Sequence, residues 1–80
     1  MKPDYLGYSN KRNKLSLKLL EERKKLNITQ KEMAQKINLS YSIYSAFERG
    51  QYKANLMILS RVSKYLKISM KEAEELHLTI

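Results

Sequence analysis

Eighty residues make one small domain, near the lower size at which a chain folds without a staple. The chain has no cysteine, so disulfides and thiolate metal sites are excluded; no apolar run approaches the roughly 20 residues of a bilayer span, and no apolar core of signal-peptide type opens it. Sixteen Lys and Arg against eight Asp and Glu give a formal net charge of +8, which favours an anionic partner.

With only two Gly and one Pro, few residues interrupt helices, and the chain reads as all-α with five of them. Residues 1–13 read as a flexible basic arm, and residues 14–80 as the folded domain. The first helix, about 15–26, is carried by Leu15, Leu19, Leu20 and Leu26 at helical spacing. Arg23 falls on that stripe, where burial is costly without a partner; Glu48 is the expected one, in a purely structural pair. The alternative has Arg23 reaching water and Glu48 on a solvated face.

Thr29 and Glu32 form a capping box that starts a second helix over 30–37, with Ile28 and Met33 as its staple. Met33, Ala34 and Ile37 share its inner face, and the small Ala34 permits a close helix crossing. Asn38 marks a corner that needs a left-handed residue. Ser40 caps a third helix over 41–49, stapled by Leu39 and Tyr44, with Tyr44 and Phe47 inward and Gly50 closing it. Asn55 starts a fourth over 56–66, with Leu56, Leu59, Val62, Ser63 and Leu66 in helical register. Ser69 and Glu72 repeat the capping box before a fifth over 70–78. Its stripe of Met70, Ala73, Leu76 and Ile80 is expected to serve partly the core and partly a second copy. Glu72, Glu74 and Glu75 make it the least cationic helix, and His77 is expected to face solvent at its end.

The stretch ITQKEMAQKINLSYSIYSAFERG from Ile28 to Gly50 thus reads as two short helices joined by a tight turn, a way of presenting a helix to DNA. Together with Arg23, Leu26 and the later Leu59, Val62, Leu66, Ile68 and Ser69, it resembles the phage-repressor and Cro-type helix-turn-helix domain, or XRE family, over about three quarters of the chain. The resemblance implies a compact five-helix bundle that binds operator DNA as a two-fold dimer, a sequence-specific transcriptional regulator of repressor type. By the same resemblance Gln30 at the head of the second helix contacts backbone phosphate and braces the first residue of the third. Tyr41, Ser42, Ser45 and Ala46 face the major groove, with Arg49 nearer the backbone. Thr29, Ser40 and Lys53 complete the DNA-binding set. Lys11 and Arg12 in the arm are expected either to reach the minor groove, as basic arms of related domains do, or to belong to a solvated leader that only aids solubility.

Tyr44 stands where the family has Ile or Val, so its hydroxyl needs water or a partner. The groove face lacks Gln, Asn or Arg for a bidentate base contact. Affinity is therefore expected to come mostly from phosphates, and selectivity partly from DNA shape and the arm. The rival on the same fold is an antitoxin or antirepressor-type module that grips a protein. No nucleophile–base pair or Gly-rich phosphate loop suggests an enzyme, no metal or cofactor is expected, and a cytoplasmic, nucleoid-associated place without membrane contact fits.

Overall fold

Each helix starts at a side chain that accepts an amide which its own first turn cannot bond. A computed structural model describes residues 12–79, with α1 (Lys14–Leu26), α2 (Gln30–Ile37), α3 (Tyr41–Glu48), α4 (Leu56–Leu66) and α5 (Met70–His77). Asn13, Thr29, Ser40, Asn55 and Ser69 each accept the N–H three residues ahead, removing one orphan donor per helix. The box at Thr29 is complete, since Glu32 also accepts the Thr29 N–H at 2.8 Å. At Ser69 only the forward half forms, the Glu72 N–H to the serine hydroxyl. The arm expected over 1–13 lies outside the described residues as far as Lys11, as does Ile80 of the α5 stripe.

Four of the helices end the same way. Asn27, Asn38, Gly50 and Lys67 take φ of 57°, 67°, 80° and 61°. At each, two amides turn back onto the last carbonyls, as Leu39 N–H to Ala34 O at 2.9 Å and Gln51 N–H to Ala46 O at 2.9 Å. Gly50 adopts this backbone without steric cost, Asn tolerates it, and Lys67 carries the ordinary left-handed penalty of about 1–2 kcal/mol. After three of these turns comes an apolar residue, Ile28, Leu39 or Ile68, and all three pack on the core.

Ala34 is 1% exposed at the meeting of α2 and α3, where a larger side chain would hold the helices apart. α1 packs on α3 and α5, and α4 on α2 and α5. Leu15, Leu19, Met33, Tyr44, Phe47 and Ile58 fill the fully buried centre, each worth about 1.5–3 kcal/mol of transfer free energy. Two expected core positions differ. Leu56, at the first turn of α4 on the margin of its stripe, is 75% exposed, and Ile58 takes the interior instead. Leu26, the last residue of α1, is 42% exposed because the chain turns away at Asn27. α4 also braces the corner between α2 and α3, since Arg61 Nη1 donates to the Asn38 carbonyl at 2.6 Å.

Candidate nucleic-acid interface

α3 is held from behind by a buried carboxylate with four donors. Glu48 is 1% exposed, and its Oε2 accepts Arg23 Nε at 2.8 Å and the Tyr44 hydroxyl at 2.5 Å. Its Oε1 accepts Arg23 Nη2 at 3.1 Å and Gln30 Nε2 at 2.8 Å. Burial alone pushes this carboxyl up; the hydrogen bonds from Arg23, Tyr44 and Gln30 outweigh it and hold Glu48 ionised, below its ordinary range. The Tyr44 hydroxyl is raised far above its usual range, first by burial and then by the adjacent carboxylate, so it remains a donor. The cost of a ring where the family has an aliphatic side chain is thereby met, because its one polar atom is bonded. Arg23 Nη1 also donates to the Ile28 carbonyl at 3.1 Å, so one guanidinium ties together α1, the approach to α2, and α3.

With α3 fixed, its outer side is defined. Ser40, Tyr41 and Ser42 at its start and Arg49 at its end are exposed, with Tyr41 54% accessible, and Ala46 is half-buried between them. Ser42, Ala46 and Arg49 follow one another at helical spacing on that side. Thr29 at the head of α2 and Lys53 in the segment after α3 are exposed as well. Ser45 is different. It is 4% exposed, and its hydroxyl donates inward to Gln30 Oε1 at 3.1 Å, so it does not share the outward face expected for it. Gln30 thus braces α3 at Ser45, just past its middle, and at Glu48, its last residue, not at its first residue. Arg12 is drawn away from the arm's expected role: its Nε donates to the Glu48 carbonyl at 2.7 Å, where the C-terminal end of α3 favours a cation. Lys11 lies outside the described residues.

His77 is not the solvent-facing residue expected. It is half-buried, stacks on Phe47 with ring centroids 5.8 Å apart, and its Nε2 accepts the Ala54 N–H at 3.2 Å. Its Nδ1 lies 2.9 Å from Asn13 Nδ2. Burial first, and then the Lys53 charge, lower its pKa and favour the neutral ring. It therefore links α5, the α1 cap and the segment carrying Lys53. Sequence reading missed this link because the partners are the Asn13 side chain, 64 residues away, and a backbone amide. Among the described residues no group of three His, Cys, Asp or Glu side chains is placed to hold a metal ion, and no helix is long and apolar enough to cross a membrane.

A family model described as helix-turn-helix matches residues 19–72, from within α1 to the first turn of α5. No curated protein and no solved structure gives a significant match. The matched span holds the whole of α2, the braced corner and α3, and the chain belongs to the phage-repressor and Cro-type (XRE) helix-turn-helix family of all-helical, non-enzymatic domains that bind double-stranded DNA.

Proposed function

We propose that this protein is a sequence-specific transcriptional regulator of repressor type that binds operator DNA as a two-fold dimer, with α3 in the major groove and the head of α2 against the backbone. The observation that carries the reading is the exposed side of α3, backed by a carboxylate bonded four times from α1, α2 and α3. A helix so fixed presents Tyr41, Ser42 and Ala46 to base edges in one geometry, and Arg49 and Lys53 to phosphate. Thr29 and Ser40 serve by capping the two helix starts that approach the duplex. Direct readout by this face is modest: one hydroxyl from Ser42 and one from Tyr41 pair with several base edges, and Ala46 touches at most a thymine methyl. The net charge of +8 supplies phosphate affinity for every sequence.

Dimerisation is supported by apolar side chains left uncovered along α5 and beyond it, with Leu78 73% and Met70 40% exposed. A second copy covers them and doubles the DNA contact that a 9.5 kDa module can make. Action on chromosomal DNA puts the protein in the cytoplasm with the nucleoid. Selection of bound sites from a random duplex pool with the purified protein tests this reading. Enrichment of inverted repeats with half-sites about 10 base pairs apart, centre to centre, is the expected result. No enriched sequence, together with a stable one-to-one complex with an acidic protein, would move the assignment to an antitoxin or antirepressor-type module.

A further inference from the structure

Arg49, the C-cap of α3, offers a planar fork at the end of that helix, and the structure grips it in two places. Its Nη1 donates to Ser45 Oγ at 2.7 Å, and its Nε donates to Gln51 Oε1 at 3.1 Å. Ser45 Oγ in turn donates to Gln30 Oε1, and Gln30 Nε2 to the buried Glu48. An exposed arginine is thus joined, through one buried hydroxyl and one amide, to the buried Glu48 carboxylate and its other donors from Arg23 and Tyr44. Among the described residues the terminal edge of the guanidinium, which Nη2 shares with Nη1, has no partner at Nη2.

We propose that Ser45 is a positioning residue, which splints Arg49 so that this terminal edge meets one DNA backbone phosphate and sets the register of α3 in the groove. The proposal rests on the DNA-binding reading above. Ser45 itself is too buried to meet a base. A phosphate fits better than a base for two reasons. The splint draws Arg49 towards Gln30 at the head of α2, away from Tyr41 and Ser42 at the opposite end of α3. Two phosphate oxygens also match the two parallel hydrogens of a guanidinium edge. Holding the fork before binding removes the ordering cost of a long side chain, roughly a 3- to 10-fold gain in affinity.

A double-mutant cycle on Ser45→Ala and Arg49→Ala tests this, with affinity read by fluorescence anisotropy on a selected duplex and on unrelated duplexes over a range of salt. Thermal unfolding of each variant establishes that it is folded. Ser45→Ala should weaken all duplexes by a similar factor, roughly 3- to 10-fold, with the salt slope kept. Arg49→Ala should reduce that slope by about 0.9, and Ser45→Ala should then cost nothing more. Three results overturn the proposal: no loss in Ser45→Ala, a loss that persists in full when Arg49 is already alanine, or a loss confined to duplexes altered at one base pair, which would make Arg49 a guanine reader. In the free protein, separate guanidinium N–H resonances of Arg49 that merge in Ser45→Ala support the splint; identical averaged signals in both proteins refute it. Wild-type protein that binds no duplex sinks the DNA reading and the phosphate contact together, and the resonance comparison still decides the splint by itself.

Discussion

Replacing Arg23 with alanine takes away two of the four hydrogen bonds described to the Glu48 carboxylate and the positive charge paired with it. The carboxylate is 1% exposed, so water cannot take over, and Tyr44 and Gln30 are the donors left. Breaking a buried pair from one side costs about 3–5 kcal/mol. The two surviving donors, and the 19% exposure of the Arg23 side chain, place this case near 3 kcal/mol. That is a large part of the roughly 4–12 kcal/mol that holds a domain of this length, and it lowers Tm by about 12–24 °C. Urea unfolding followed by helical circular dichroism measures it. The pH dependence identifies the cause. In the native protein the Glu48 pKa is depressed, so its contribution is present above the unfolded carboxyl pKa and lost as pH falls through the folded one. Without Arg23, burial dominates and the folded pKa rises above the unfolded value; the penalty is then full at neutral pH and shrinks as pH falls towards the ordinary carboxyl range. Adding Glu48→Gln to Arg23→Ala should accordingly restore stability at pH 7. A loss below 1 kcal/mol that does not change with pH would refute the argument, because it would mean that solvent already screens the pair.

Further outcomes follow from other positions. His77, with its pKa lowered by burial and by Lys53, should make the protein lose stability as pH falls below the unfolded imidazole value of about 6.5, down through the folded pKa; His77→Gln should flatten urea midpoints over that window. Lys67→Gly should stabilise by about 0.5–1 kcal/mol by relieving a left-handed backbone, read as a rise in Tm at constant DNA affinity. Ala34→Leu should cost about 1–3 kcal/mol by overpacking the α2–α3 crossing, and weaken DNA binding more than an equally destabilising change in α5. The ratio of operator to random-duplex affinity at physiological salt should stay below about 10⁶, as a face without a bidentate base reader requires, and a titration giving a higher ratio would contradict that.

Helix limits were legible because most are written locally: four of the five capping side chains, Thr29, Ser40, Asn55 and Ser69, could be read at the starts. The expected bounds agree with the observed ones to within a residue, whereas Asn13, the cap of α1, is placed in the arm by the sequence reading. Asn38 and Gly50 likewise announced their turns. Lys67 did not, because lysine has no intrinsic leaning to a left-handed backbone, and there the packing of Ile68 decides the conformation. Periodicity named most of the core but misjudged Leu56, since spacing gives the direction of a side chain and not whether a neighbour covers it. The candidate site divides similarly. Glu48 and Arg23 could be matched as opposite charges on apolar stripes, whereas the route from Glu48 through Gln30 and Ser45 to Arg49 depends on hydroxyl and amide geometry between two helices. No one-dimensional pattern records that Ser45 turns inward while its neighbour Ala46 stays at the surface.

The Lys14 N–H donates to the Thr79 carbonyl at 2.7 Å, beside the link between Asn13 and His77. The two ends of the described residues therefore lie side by side. A short peptide joining residue 79 to residue 12 would close the domain into a ring without stretching either end. New termini could then be cut in a loop between two helices, with the closing peptide lying beside the last turn of α5.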